Sequence, residues 1–161
     1  MNKEYLSIID EFINNEEFQK LKNETYHHTT NKYNHSLAVA KHTYNICKAL
    51  KLDYISATRA AILHDFFFDK EFDNKNKTNC LLNHYKASIK NANKLTKLSK
   101  KEENIISSHM FPIGGSLPRS IESVLVDIID DAVAIRERAF YNPKRLGQAI
   151  ATLTIFLINF L

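Results

Sequence analysis

Residues 53–65 read DYISATRAAILHD. Asp53 carries a short carboxylate suited to accept from the free backbone N–H groups of a first helical turn, which predicts a helix from Tyr54 to His64. Ile55, Ala60, Ala61, Ile62 and Leu63 are the positions expected to face a core. The segment ends on adjacent His64 and Asp65. Neighbours inside a helix point about 100° apart, so this pair converges on one ligand most easily where the helix unwinds.

The same periodicity extends in both directions. A helix is expected from Glu4 to Asn23, with Leu6, Ile9, Phe12, Ile13 and Phe18 on one side. A polar stretch over Glu24–Asn34 precedes a helix over Asn34–Leu50, whose apolar positions are Leu37, Val39, Ile46 and Leu50. Phe66–Thr78 is charged and Asn-rich and reads as a loop before a helix over Asn83–Leu98. Ser99 followed by Glu102 is a capping box, opening a helix that runs to about His109. Phe111–Pro118 holds two of the three prolines and two of the three glycines and reads as a fixed loop. A helix over Arg119–Phe140 follows, and Pro143 suits the first position of a last one. No repeat and no useful strand alternation interrupts this pattern. The expectation is an all-α domain, residues 1–161, of about six to seven helices, with its core over about 28–140 and an apolar C-terminal helix over 143–161.

Composition narrows the alternatives. A chain of 161 residues is long enough for one real core. Cys47 and Cys80 are too few for a disulfide framework or a thiolate zinc site. The net charge of +4 comes from scattered lysines, where a nucleic-acid binder concentrates its basic residues, so no nucleic-acid partner is expected. No apolar signal segment is visible near the N-terminus, and a cytoplasmic location is expected. The last 13 residues, AIATLTIFLINFL, carry no charge but fall short of a bilayer span of about 20. A buried terminal helix is the first reading; membrane-surface or homodimer association is the lesser one.

The chemistry lies in the histidines and aspartates. His35, His64, His84 and His109 all fall at expected helix ends, where side chains of different helices can converge. Asp130 interrupts the apolar run VLVDIIDDAVAI of residues 124–135, and a carboxylate there is costly unless paired or bound to a cation. Asp127, Asp130 and Asp131 lie within about one turn. The face formed by Ile121, Leu125, Ile128 and Ala132 lies nearer Asp131, so periodicity alone prefers Asp131, while Val126, Ile129 and Val133 suggest that this helix is buried on more than one side. Imidazole with carboxylate suits first-row divalent ions and, with further oxygen donors, Mg²⁺. Such an ion lowers the pKa of a coordinated water and can serve phosphoryl displacement. Taken singly, each of these residues reads more simply as a hydrogen-bonded helix-end group; together they read as ligands.

The order His35, His64-Asp65, Asp130 resembles the HD-domain metal-dependent phosphohydrolases. The segments NHSLAVA, AAILHD and an Asp followed four residues later by Ala134 carry the resemblance, which covers roughly His28 to Ile135. The segments HHTTNKYNHS, ILHD and HMFP are similar to those of small bacterial HD hydrolases. The resemblance implies an all-α core around a site in which His35, His64, Asp65 and Asp130 bind one metal, and it prefers Asp130 over Asp131. His84 and His109 are similar to the extra histidines of the binuclear subgroup, in which the HD aspartate bridges two metals; symmetric diadenosine tetraphosphate hydrolases are a neighbour with the same additions. No GYP segment follows the HD pair, which argues against a cyclic di-GMP phosphodiesterase.

The expected activity is hydrolysis of a phosphomonoester, phosphodiester or phosphoanhydride bond in a nucleotide or other small phosphorylated metabolite by a metal-activated water. The cofactor is one or two divalent ions (Fe, Mn, Co, Mg or Zn), with His64 and Asp65 closest to the chemistry. His28, in a polar Thr-rich loop, and Arg119, before a helix N-terminus, are candidate phosphate contacts. Lys70, Lys75 and Lys77 read first as a solvated loop. The alternatives are a non-catalytic HD metal or nucleotide sensor, or an interaction protein working through its C-terminal helix.

Overall fold

The computed structural model describes residues 2–26, 30–72 and 77–141. His28, Lys75 and the expected helix over 143–161 lie outside them. Seven α-helices make up the described residues: α1 (Lys3–Ile13), α2 (Glu16–Gln19), α3 (Lys32–Ala49), α4 (Tyr54–Leu63), α5 (Lys77–Leu95), α6 (Lys100–Ser108) and α7 (Ile121–Tyr141). A two-residue antiparallel pair, β1 (Thr25–Tyr26) and β2 (Thr30–Asn31), sits before α3 with Thr25 opposite Asn31 and Tyr26 opposite Thr30. The fold is an all-α bundle.

Helix boundaries follow their caps. The expected first helix is broken at an Asn pair: Asn14 closes α1, and the Asn15 side chain accepts from the N–H groups of Glu17 and Phe18 to start α2. Asn31 caps α3 through the N–H of Asn34, so that helix begins two residues before the expected Asn34. Asp53 accepts from Ser56 N–H as expected. The box between Ser99 and Glu102 is formed in both directions. Two boundaries differ more. α5 begins at Lys77, six residues before the expected Asn83, because its exposed first turn carries no apolar signal; His84 therefore lies about two turns inside it. α7 begins at Ile121, which leaves Arg119 in the preceding loop.

Helix α4 is central, packing on α3, α6, α1 and α7. Ala57, Ala60 and Ala61 are fully buried, and their small side chains let neighbouring helices approach closely. Ile62, Leu63 and Phe66 continue this core to the end of α4 and join Ile9, Phe12, Phe18 and Leu21 from the N-terminal elements. Three expected core positions point outward instead: Ile46, Leu50 and Ile55 are exposed, while Tyr44 and Cys47 fill the interior beside them.

Helix α7 turns only part of its expected apolar stripe inward: Ile121 and Ile128 are 63% and 57% exposed, while Leu125 packs partly against the core and the second expected buried side, Val126, Ile129 and Val133, is buried. The inward face holds Val126, Ile129, Val133 and Ala134, together with buried Glu122, Ser123 and Asp130. Polar residues on the inward face dilute its apolar signal, and the partly exposed stripe wins the wheel.

Candidate metal centre

Five helices bring six candidate ligands to the base of a cavity, two of them from the end of α4. His35 stands in the first turn of α3, His64 and Asp65 where α4 unwinds, His109 at the C-cap of α6, and Asp130 inside α7. His84 reaches in from about two turns inside α5. All six are buried. The structure thus gathers His35, His64, Asp65, His84, His109 and Asp130 in one place. Arg119 is exposed, bonds through its backbone N–H to Asn104, and does not line the cavity. Asp131 is exposed on the cavity wall, while Asp130 is at the cluster.

Each histidine is oriented by its Nδ1. His64 Nδ1 lies 2.7 Å from Ala61 O, His109 Nδ1 2.7 Å from Ile106 O, and His84 Nδ1 3.1 Å from Cys80 O. A carbonyl oxygen only accepts, so these Nδ1 atoms carry the protons and the Nε2 atoms present lone pairs inward when the rings are neutral. His35 differs: its Nδ1 lies 2.9 Å from Glu137 Oε2, and its Nε2 lies 2.7 Å from Asp130 Oδ1. Asp130 and Glu137 are seven residues apart on α7, two turns along one face, and take the two nitrogens of one ring.

The Nε2 atoms converge on the two aspartates. His64 Nε2 lies 3.3 Å from Asp130 Oδ1 and 3.6 Å from Asp65 Oδ2. On the other side of Asp65, Oδ1 lies 3.4 Å from His84 Nε2 and 3.6 Å from His109 Nε2. The His84 and His109 Nε2 atoms are 2.8 Å apart. Two neutral rings protonated at Nδ1 would set lone pair against lone pair there, so a proton or cation must intervene. His64 Nε2 is buried and makes no well-aligned hydrogen bond; with its proton on Nδ1 it faces Asp130 Oδ1 acceptor to acceptor at 3.3 Å. A buried orphaned nitrogen is costly, and a cation relieves it. Two groups have ligand atoms close enough to hold an ion: His35, His64 and Asp130, and His64, Asp65 and His109. The donor set fits a divalent metal, and the Nδ1 bonds are those that orient metal-binding imidazoles.

Electrostatics agree with this geometry. Burial raises the Asp130 carboxyl, but His64 and the bond to His35 outweigh it and hold it well below the usual range. Burial raises Asp65 as well, and His64, His84 and His109 bring it down. Burial disfavours charge on His35, yet Asp130 and Glu137 lift it to about 9. Burial and the neighbouring His64 push His109 down to about 4. The aspartates stay ionised and the His109 ring stays neutral, the states in which they bind cations.

The second layer was not visible in the spacing. Tyr26 stacks on His35 with ring centroids 4.0 Å apart and planes at 24°. Buried Lys32 reaches Phe67 O at 3.2 Å and Asp69 Oδ1 at 2.7 Å, and Asn91 reaches Phe66 O at 3.1 Å. These contacts fix the segment after the HD pair and set Phe67 beside His84, with ring centroids 5.0 Å apart. Lys70 lies near the Phe68 ring, away from the cluster. Of these residues only Glu137 had a signal in the sequence, its two-turn offset from Asp130.

The model of the HD-domain family matches residues 33–135, and the chain belongs to that family. HD domains bind divalent metals and are mostly phosphohydrolases acting on small phosphorylated substrates. No curated protein and no solved structure matches the chain. Among the described residues no helix is long and apolar enough to cross a membrane.

Proposed function

We propose that this protein hydrolyses a phosphomonoester, phosphodiester or phosphoanhydride bond in a nucleotide or another small phosphorylated metabolite. In this reading His35, His64, Asp65 and Asp130 hold one divalent ion, and Asp65 reaches a second held with His84 and His109. Bound there, such an ion supplies a Lewis acid for the phosphoryl oxygens and a water of lowered pKa. Asp65, kept ionised between two histidine groups, accepts a hydrogen bond from the attacking water and orients it toward phosphorus. Asp130 and Glu137 hold the His35 ring in one orientation, and Ala61 O does the same for His64. The observation that carries the reading is the inward convergence of the histidine Nε2 atoms on the carboxylates of Asp65 and Asp130.

The test has two parts. Protein purified anaerobically is assayed for metals, then offered a phosphate-ester panel with Mn²⁺, Fe²⁺, Co²⁺, Mg²⁺ and Zn²⁺ in turn. Stoichiometric metal, with turnover abolished by His64→Ala and Asp65→Ala, is the expected result. Unchanged turnover in both variants sinks the assignment; bound metal without turnover of any ester leaves a metal-binding HD domain that is not a hydrolase.

A further inference from the structure

The metal cluster occupies only the floor of a cavity of about 450 Å³, a volume in the range of small-molecule sites. Above Asp65, His84, His109 and Asp130 the wall is built by Phe67, Leu81, Met110, Ile113, Ala134 and Ile135. Tyr26 and Cys80 complete it, and Asp131 and Arg138, both exposed, are the other charged groups that line it. Among the described residues no Asn, Gln, Ser, Thr or Lys lines this space. A hydroxyl or amide placed against Phe67, Leu81, Met110, Ile113, Ala134 or Ile135 leaves water without gaining a partner, which costs free energy for each group; only Tyr26, Asp131 and Arg138 offer polar atoms away from the floor. An aromatic or aliphatic body placed there gains by removing apolar surface on both sides from water.

We propose that the cavity selects phosphate esters whose body is apolar or aromatic, and rejects polyhydroxylated sugar phosphates. The proposal rests on the phosphohydrolase reading for its phosphate end, and on the wall for everything else. The wall is continuous with the cluster, so a phosphoryl group on the floor projects its ester substituent along apolar side chains that include Phe67, Leu81 and Ile113. Leu81 and Ile113 are 44% and 63% exposed. Exposed apolar side chains beside a polar floor suit an occupant that covers them.

The experiment uses non-hydrolysable probes, so that binding is read without turnover. Mn²⁺-loaded full-length protein is titrated with phenylphosphonate and with 2,3-dihydroxypropylphosphonate, which match in the phosphonate group and differ in the body. Tighter binding of the aryl probe, by about tenfold or more, is expected. Leu81→Gln and Ile113→Gln change exposed positions, so the fold and the metal content stand, and the preference is expected to fall below about threefold. Equal or reversed affinity in the native protein, or a preference untouched by both substitutions, overturns the proposal while leaving the hydrolase reading intact. If neither probe binds, the phosphate floor itself is wrong, and the proposal falls together with the reading it rests on.

Discussion

Glu137 and Asp130 grip the two nitrogens of His35 from one helix, and the consequence differs for each. Asp130 is set among the ligand atoms; Glu137 touches only the far side of the ring. A carboxylate on the outer nitrogen fixes the ring and raises its basicity as a ligand, an effect worth about 10–100-fold in metal affinity in comparable sites. Glu137→Ala is therefore expected to weaken divalent-ion binding by that factor, measured by competition with a chelator of known affinity. Glu137→Gln keeps an oxygen that can accept from Nδ1, so it should recover part of the loss; a purely structural role would make the two variants equal. The aspartates show how far the sequence goes at this scale. The face of Ile121, Leu125, Ile128 and Ala132 favours Asp131, and it takes the family pattern, with Val126, Ile129 and Val133 marking a second buried side, to favour Asp130. The buried side of α7 spends its positions on Glu122, Ser123 and Asp130, so its function masks its own apolar signal.

At the level of elements, the ends of helices place the ligands, so whatever fixes an end fixes the site. Helix α6 is the clearest case. Ser99 and Glu102 close its start, and His109 caps its finish. Ser99→Ala removes one side-chain acceptor and should cost about 1 kcal/mol in thermal or denaturant unfolding, with metal stoichiometry unchanged. The loop beyond His109 folds back on the same helix, with Ser116 N–H donating to Ser107 O at 2.8 Å. Gly115 makes that return at φ +77°, and a Cβ there would lie 1.8 Å from Ser107 O. Gly115→Ala must displace backbone at Ser107, two residues from His109, so a loss of about 2 kcal/mol or more is expected. Metal affinity should fall with it, a coupling that Ser99→Ala lacks. The elements with distinct cap chemistry (Asp53, Ser99) were legible in advance. Two others were misplaced: α5, whose opening residues Lys77, Thr78 and Asn79 carry no apolar period, and the first helix, where an apolar period that continues to Phe18 hides the asparagine pair that ends one helix and caps the next.

For the molecule as a whole, the cluster makes stability depend on pH and on metal together. In the metal-free protein His35 titrates at about 9, above an unfolded value of about 6.5. Its protonated ring favours the folded state, so that contribution is complete below about 6.5 and is lost as pH rises through 9. His64 is also raised and adds in the same direction. His109 titrates at about 4, below its unfolded value, so its neutral ring favours folding. That contribution is complete above about 6.5 and is lost as pH falls through 4. Asp130, held well below its usual range, loses its contribution at more acidic pH still. The melting temperature of chelator-treated protein should therefore peak near pH 6.5 and decline on both sides. A bound divalent ion takes the Nε2 lone pair of His35 that otherwise holds a proton, and an ion that binds only the folded chain stabilises it by mass action. Loaded protein should then hold its melting temperature from pH 7 to 9 while the metal-free protein loses its own, so the gap between them widens with pH. Differential scanning calorimetry of both forms across pH 4–9 reads this directly. A metal-free curve that stays flat between 6.5 and 9 would show that His35 does not carry a proton between the two carboxylates of α7. The ordering of the cluster by Asp130 and Glu137 would then need another explanation.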